Sequence, residues 1–372
     1  MSTVVRAGLL ISFVWFVTSS ASAIGAVSTA KLEEAKKAAA ARGYVFVGSH
    51  DEIVAKAKTE RRLRALSGFE QSAFNQLAKV FTQKYPFLEV QLEEFEGSEP
   101  AQRFLLELKS GKPIEWDIIH VPPDYYNDYA QYAKKMDIRG MAEAGVLSMP
   151  PLMIDPNNRN IVAPSSTIMS IAYNRTMIAA EKVPDRWEDF LRPDLKGRKF
   201  VVDIRPRGMA ALVPRMGEEY VRDYARKLKE QEPIWVRGDS RAINAIKAGE
   251  YSLHQLINYH SCIRATKKDP AKSLVCKIIE PVPVRLSETL GILETARYPY
   301  AALLWLEFQA SPEAQKIIED AEPRSSLYVP GSVMAELTKG KQLSVIDWKT
   351  FHKSPEWIKM AYEAFGFPKA QD

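Results

Sequence analysis

"LRALSGFEQSAFNQLAKVFTQKYPFLEVQLEEF", residues 63–95, contains the alternation of elements that decides the fold. Residues 63–66 predict a short strand, "SGFE" predicts a turn, and residues 71–85 have helical apolar spacing until Pro86 ends the helix. Residues 87–95 then alternate as a strand, and they are followed by a helix, "PAQRFLLELKSG", and an apolar strand, "WDIIHV". This βαβαβ order is typical of an α/β fold with a mostly parallel sheet, which binds ligands at the carboxyl ends of its strands.

The second half of the chain predicts more elements of the same kind. The predicted strands are "STIMSIAYN", "RKFVVDI" and "SLHQLIN". The predicted helices are a segment from about Gly208 through "EEYVRDYARKLKE", then "SRAINAIKAG", "YPYAALLWLEFQA" and "SPEAQKIIEDA", the last with Ser311 as its N-cap. A mature chain of about 350 residues exceeds what one hydrophobic core usually supports, so we expect two lobes.

The N-terminus has the pattern of a signal peptide. After Arg6 the chain reads "AGLLISFVWFVTSSASA", in which an apolar core precedes small residues suited to cleavage near Ala23. An uncleaved anchor is the alternative, but residues 7–17 are shorter than the roughly 20 needed to span a bilayer. We therefore expect a signal peptide over residues 1–23, a leader segment over residues 24–50, and a periplasmic mature protein.

Charge and cysteine content narrow the classes of function. The formal net charge is +5, and the basic residues are interleaved with acids, so we expect no nucleic-acid partner. The chain has two cysteines, Cys262 and Cys276. Export to an oxidising compartment favours a disulfide between them, although two buried thiols remain the alternative.

Six segments in a fixed order carry a resemblance to a known family. They are "SGFE", "GSEPAQRFLLELKSGKPIEWDIIHVP", "IAYNRTMIAAEKVPDRWEDFLRPDLKGR", "DIRPRGM", "IKAGE" and "ALLWLEFQASPEAQ". From about Asp51 to Phe367 the chain resembles the extracellular solute-binding proteins of bacterial ABC importers, in the ferric-iron-type branch of the two-lobed type 2 periplasmic binding fold. The resemblance implies a monomer that traps a small ligand between hinged lobes and delivers it to a permease in the inner membrane.

The resemblance also implies where the lobes are divided. Residues 51–165 and 286–320 are expected to form the first lobe, and residues 166–285 the second. Residues 321–372 are expected to be C-terminal helices that pack on both. The ligand cleft should lie between the lobes, where loops at strand ends face each other.

Two predicted cleft loops belong to the first lobe. "SGFE" follows a strand and opens a helix, so Ser67, Gly68 and Glu70 are expected to face the ligand. "VPPDYY" ends the strand "WDIIHV" and offers Asp124 and Tyr125. These loops supply backbone N–H groups, carboxylates and an aromatic ring.

A third predicted loop, "DIRPRGM", leads from a strand into a helix N-terminus, which suits an anion. Arg205 and Arg207 can make charge-assisted hydrogen bonds to carboxylate or phosphate, although a solvated turn is the alternative. Gly208 would permit close approach of the ligand, and Met209 follows it.

The fourth predicted loop, "NYHSC", contains Asn258, Tyr259 and His260. In iron-binding members of the resembling family this position carries two consecutive tyrosines after an asparagine, and here His260 replaces the second tyrosine. If the ligand is ferric ion, the resemblance implies that its protein ligands are Glu70, Asp124, Tyr259 and His260. Because several of the family's metal ligands have changed, we expect an organic or phosphorylated anion instead. A third alternative is that His260 has no contact with the ligand.

Enzyme motifs are missing from the sequence. It contains no G-x-S-x-G, no H-E-x-x-H, no P-loop and no dinucleotide-binding fingerprint, so we expect no enzyme and no cofactor. A secreted metallohydrolase is the alternative from another class, because a strand that continued through "NYHSC" would place His254 and His260 on one face. A receptor lobe for a sensor is a further alternative that the sequence does not distinguish from transport.

Overall fold

The computed structural model describes residues 29–95 and 98–367, in which helices cover two separate β-sheets. The predicted signal peptide, residues 1–23, lies outside the described residues, as do residues 24–28 of the predicted leader. The rest of the leader contains one helix and the start of a second. Within the described ranges, no helix is both long and apolar enough to cross a membrane.

The strands and helices are numbered here in chain order. The strands are β1 (Arg62–Ser67), β2 (Glu89–Glu94), β3 (Ile118–His120), β4 (Ile161–Val162), β5 (Ser165–Asn174), β6 (Val201–Asp203), β7 (Ile234–Val236), β8 (Leu253–Asn258), β9 (Leu274–Lys277), β10 (Val282–Ser287), β11 (Leu290–Ile292) and β12 (Leu343–Ile346). The helices are α1 (Thr29–Ala41), α2 (His50–Glu60), α3 (Gln71–Lys84), α4 (Ser98–Lys109), α5 (Tyr126–Tyr129), α6 (Ile138–Glu143), α7 (Arg207–Ala210), α8 (Val213–Met216), α9 (Glu218–Glu230), α10 (Asp239–Lys247), α11 (Tyr259–Lys267), α12 (Pro299–Gln309), α13 (Pro312–Ala321), α14 (Val333–Thr338) and α15 (Ser354–Phe365).

The first sheet has the strand order β2-β1-β3-β11-β4. β1 runs parallel to β2 and β3, whereas β11 runs antiparallel to β3 and β4. Helix α3 buries Phe74, Leu77 and Phe81, the apolar positions at helical spacing in the sequence, and it ends before Pro86. The predicted βαβαβ unit is therefore confirmed. Its parallel strands place the segments after β1 and β3 at one edge of the sheet.

The second sheet has the strand order β12-β10-β5-β8-β6-β7, and β9 pairs with β5 beside this path. β5 is buried along its whole length, which explains why its sequence is nearly uninterrupted in small and apolar side chains. The chain enters this sheet between β4 and β5 and leaves it between β10 and β11. The hydroxyls of Ser165 and Ser287, which lie at these two crossings, are hydrogen-bonded at 2.8 Å.

The C-terminal region differs from the sequence prediction, which gave residues 321–372 as helices. β12 pairs in parallel with β10 and so completes one edge of the second sheet. The chain then places Phe351 edge-on against Tyr126, with ring centroids 5.0 Å apart, before α15 begins. The strand was missed because "LSVI" is only four residues long, and short apolar runs are ambiguous.

The predicted continuous helix from Gly208 is also wrong, because two four-residue helices, α7 and α8, precede α9, which covers the predicted stretch "EEYVRDYARKLKE". Pro214 lies in the first turn of α8, and Gly217 takes a left-handed φ of 89° before α9 begins. Gly208 itself is packed against side chains: a Cβ there would lie 2.3 Å from Leu256 Cδ2 and 2.9 Å from Met169 Cε. The sequence analysis explained this glycine by close approach of a ligand. In the structure, a glycine is required here because Leu256 and Met169 occupy the space that a side chain would fill.

Cys262 and Cys276 form a disulfide, as the sequence favoured. The bond joins α11 to β9, and Cys262 is completely buried in a cluster with Ile243, Ile246 and Ile257. It therefore fixes the helix that begins at the predicted "NYHSC" loop to the second sheet.

Removing the disulfide should destabilise the second lobe. The bond closes a loop with a sequence separation of 14, so we expect the double substitution Cys262→Ala and Cys276→Ala to lower the free energy of unfolding by about 3 kcal/mol. Urea denaturation of the variant and of the oxidised protein measures the difference. Alkylation of unfolded protein without reductant should modify neither cysteine, and two alkylated thiols would contradict the pairing.

Gly208→Ala should disturb the contact with Leu256 and Met169. Because the new methyl group would overlap both side chains, we expect the free energy of unfolding to fall by about 1–3 kcal/mol. Gly48→Ala is the matched control, since no atom lies within 4 Å of its added Cβ. Equal denaturation midpoints for the two variants would contradict the packing role of Gly208.

Candidate functional site

A cavity of about 480 Å³ lies where the ends of strands from both sheets face each other. Its lining is rich in charge and differs between the two lobes. The charged residues on the first-lobe wall are Glu70, Glu288, Glu322 and Arg324. Glu322 and Arg324 belong to this wall because they are hydrogen-bonded to the backbone of Glu70 and Gly68. Those on the second-lobe wall are Asp203, Asp239, Arg205, Arg207, Arg237, Arg241, Arg264 and Arg285. Among the described residues, seven arginines therefore line the cavity with five carboxylates.

The end of β1 holds a protein carboxylate at the floor of the cavity. Ser67 Oγ donates to Glu288 Oε1, and the Gly68 N–H donates to Oε2 at 3.0 Å. A Cβ on Gly68 would lie 3.1 Å from Glu288 Oε2, so a glycine lets the carboxylate approach the backbone. Gly68 lines the cavity, whereas Ser67 is buried beneath it. Ser67, predicted to face the ligand, thus has its hydroxyl directed at Glu288.

His120, at the end of β3, is a cavity residue that the sequence analysis missed. Burial, followed by the nearby Arg324 and Arg207 guanidinium groups, lowers the pKa of its imidazole to about 3. Its Nδ1 is buried 3.8 Å from Glu288 Oε2 and makes no hydrogen bond to any described residue. A neutral imidazole at this place can accept or donate one hydrogen bond.

On the second-lobe wall, Asp203 at the end of β6 binds Arg205. Arg205 Nη2 donates to Asp203 Oδ2 at 2.9 Å, and the Gly238 N–H donates to the same oxygen at 3.1 Å. Burial alone would raise the pKa of Asp203, but the hydrogen bonds from Arg205 and Gly238 lower it overall. Arg205 therefore lines the cavity as half of an ion pair.

The predicted anion site at the start of the helix after "DIRPR" is weakened by the length of that helix. α7 has four residues, so its dipole contributes little. Arg207, Gly208 and Met209 nevertheless line the cavity, and Met209 is buried. This segment therefore places Arg207 and the ion pair of Arg205 with Asp203 at the cavity wall.

The predicted "NYHSC" loop is instead the first turn of α11, with Asn258 as its N-cap. Asn258 Nδ2 donates to Asp239 Oδ2 at 2.6 Å, and Asn258 Oδ1 accepts from Arg285 Nη2 at 3.1 Å. Burial raises the pKa of Asp239, and the nearby Asp203 carboxylate raises it further. Asn258 thus connects the start of α10 to β10 while it lines the cavity.

His260 and Tyr259 point to different surroundings. His260 lines the cavity; burial and then the neighbouring Arg324 hold its pKa well below the usual value, and its buried Nδ1 has no hydrogen-bond partner among the described residues. Tyr259 packs against the apolar cluster of Ile168, Val282 and Met334, and burial raises the pKa of its phenol. His254 is buried in β8, so it does not share a strand face with His260 in α11.

Ion pairs cross the cavity between the lobes. Arg264 in α11 contacts Glu70 Oε1, and its Nη1 lies 3.9 Å from Glu322 Oε2. Arg324 Nη1 donates to the same Glu322 oxygen at 3.2 Å and to the Gly68 carbonyl at 3.1 Å. Glu70 therefore lines the cavity as predicted, but its carboxylate is bound by an arginine.

Two of the four predicted metal ligands contact other groups of the protein. Glu70 is paired with Arg264, and Tyr259 packs in an apolar cluster. Asp124 lies in the short 3₁₀ helix Pro123–Tyr125, and its side chain lies outside the described part of the structure. No group of three or more His, Cys, Asp or Glu side chains among the described residues could hold a metal ion.

Of the twelve predicted site residues, eight line the cavity. These are Gly68, Glu70, Arg205, Arg207, Gly208, Met209, Asn258 and His260. Tyr125 packs against the large apolar cluster instead. The sequence analysis missed three arginines of the cavity, Arg237, Arg241 and Arg285. The segment "WVRGDSR", which contains the first two, has apolar residues followed by a glycine and polar residues, and this pattern suggests a loop at the end of a strand.

Solved structures with the same fold are periplasmic binding proteins. Iron-bound HitA from Pseudomonas aeruginosa is 18% identical with a TM-score of 0.61, and the match covers 82% of this chain and 99% of that chain. IdiA (FutA) from Trichodesmium, in complex with iron and citrate, is 19% identical with a TM-score of 0.60, covering 82% and 99%. The substrate-binding protein of an ABC transporter from Agrobacterium tumefaciens is 17% identical with a TM-score of 0.63, covering 83% and 96%. At these identities the likeness shows the fold, which is the predicted two-lobed periplasmic binding fold.

Sequence comparison places the chain in a family. A search of curated proteins finds no match. The family model for bacterial extracellular solute-binding proteins matches residues 129–354, which is more than half of the chain. The matched region includes all of the second-lobe arginines in the cavity. The chain therefore belongs to the family of bacterial extracellular solute-binding proteins.

Proposed function

We propose that this protein is the periplasmic substrate-binding component of an ABC importer, and that it captures an organic or phosphorylated anion in the cleft between its lobes. Its membership of the solute-binding family and its predicted signal peptide support the location. The shared fold with the substrate-binding protein of an Agrobacterium ABC transporter supports delivery to a membrane permease. The protein acts as a monomer and releases the ligand unchanged, so no catalytic residue and no cofactor is part of the proposal.

The observation that carries the choice of an anion is the balance of charge in the cavity. Each of the five cavity carboxylates already accepts hydrogen bonds or ion pairs from protein groups, as described above. Arg237 and Arg241, by contrast, form no ion pair with a described residue. An anion placed between the lobes would meet unneutralised positive charge.

Helix N-termini add to this preference. α10 and α11 each have nine residues and begin at the cavity wall. The N-cap of α10 is Gly238, which has no side chain, and the N-cap side chain of α11, Asn258, makes no hydrogen bond to the first turn. The N–H groups of a helix's first turn attract negative charge. Together with the arginines, they suit a carboxylate or phosphate group of the ligand.

Ferric ion is the alternative ligand, because HitA and the Trichodesmium protein have this fold and are described with iron. A hard ferric ion requires several phenolate or carboxylate oxygens directed at one point. Here the Glu70 carboxylate is bound by Arg264, and the Tyr259 side chain is partly buried against an aliphatic cluster and does not line the cavity. These two contacts favour the organic or phosphorylated anion.

Native mass spectrometry of freshly purified periplasmic protein should identify the ligand. We expect one organic or phosphorylated anion per chain and a colourless protein. A yellow-to-red protein with one iron per chain, bleached by Tyr259→Phe, would overturn the choice of ligand. A protein from which no small molecule is ever recovered, and which binds none of the periplasmic anions tested, would overturn the binding role itself.

Arg241→Ala should weaken binding of the compound so identified. Loss of one charge-assisted hydrogen bond costs about 1.5–3 kcal/mol, so the dissociation constant from calorimetry should rise by roughly 10- to 150-fold. The matched control is Arg226→Ala, which removes the same charge from an exposed position in α9 away from the cavity. Equal losses of affinity in both variants would show that only the net charge matters.

A further inference from the structure

The ion pairs of Arg264 join parts of the molecule that belong to different lobes. α11, which carries Arg264, is fixed to the second sheet by the disulfide from Cys262 to Cys276. Glu70 directly precedes α3, and Glu322 directly follows α13; both helices bury side chains in the core of the first lobe. A contact between Arg264 and these glutamates therefore joins the two walls of the cleft.

Hydrogen bonds from the first-lobe wall hold the Glu322 carboxylate in position for this contact. It is 2% exposed, its Oε1 accepts the Glu70 N–H at 3.0 Å, and its Oε2 accepts from Arg324 at 3.2 Å. These bonds hold the carboxylate in place whether or not the second lobe is near. A buried carboxylate with a fixed position needs little further ordering to receive a second guanidinium group.

Arg264 and Glu70 are less buried, with side-chain exposures of 27% and 40%. They lie at the edge of the cavity, where water reaches them when the lobes separate. A second contact lies beside them, because Lys267 Nζ, one turn further along α11, is 3.4 Å from the Asp320 carbonyl. One face of α11 thus meets the end of α13 through two cationic side chains, Arg264 and Lys267.

We propose that Arg264, Glu70 and Glu322 form an interlobe clamp that holds the cleft closed in the protein without ligand. The second-lobe wall carries six arginines and two aspartates, and the first-lobe wall carries three glutamates and one arginine, so the walls attract each other. In the clamp, oppositely charged side chains of the two walls are in direct contact. The inference goes beyond the proposed function and does not depend on which ligand is bound.

Small-angle scattering of the protein without ligand tests the clamp directly. Ligand is removed by unfolding in guanidinium without reductant, followed by refolding, which leaves the disulfide intact. We expect Arg264→Gln to raise the ratio of open to closed molecules by roughly ten-fold or more, since it removes a charge-assisted contact. The measured radius of gyration should therefore increase, whereas Arg264→Lys, which keeps the charge, should change it less.

Glu70→Gln provides a second variant at a half-exposed position, where loss of folding is not expected. It should increase the radius of gyration in the same direction. Arg241→Gln is the matched control, since it removes a cavity arginine that forms no ion pair across the lobes. Circular dichroism checks that each variant is folded.

The clamp would be overturned by an unchanged radius of gyration in both Arg264→Gln and Glu70→Gln. It would equally be overturned by an increase of the same size in Arg241→Gln, because the general charge of the wall would then be responsible. Neither result would affect the proposed function, which rests on binding and not on the shape of the protein without ligand.

Discussion

A buried carboxylate at the crossing between the sheets is the constraint on which the cleft depends. Glu288 stands between β10 of the second sheet and β11 of the first, and it is completely buried. A buried charge is tolerated when hydrogen bonds satisfy it, and the Ser67 hydroxyl and the Gly68 N–H do so. The end of β1, and with it the start of α3, is therefore tied to the place where the chain passes between the lobes.

The same principle explains the electrostatic character of the cavity. Its carboxylates are satisfied inside the protein: Asp203 by Arg205, Asp239 by Asn258, and Glu322 by Arg324. Because these acids are occupied, the cavity presents to a ligand Arg237 and Arg241, which form no ion pair with a described residue, and the starts of α10 and α11. A cleft with nearly balanced formal charge can thus still favour an anion.

Iron-binding proteins with this fold provide the contrast. The sequence resemblance placed Tyr259, His260 and Glu70 at positions that bind metal in those proteins. In this chain Tyr259 packs with aliphatic side chains, and Glu70 pairs with Arg264. The fold is shared, whereas the proposed ligand differs, since function lies in the side chains that line a site.

The sequence by itself determined the elements with strong local patterns. Local patterns correctly predicted the βαβαβ unit from Leu63 and the helix that begins after Ser311, because apolar period and capping depend on neighbouring residues. The pairing of Cys262 with Cys276 was predicted correctly because the chain has only two cysteines. Tertiary structure decided which side chains meet. Arg264 reaches Glu70, 194 positions earlier in the sequence, and no local pattern encodes such a pairing. Likewise, Tyr259 and His260 are neighbours in the chain, yet the helix that begins there directs one into an apolar cluster and the other into the cavity.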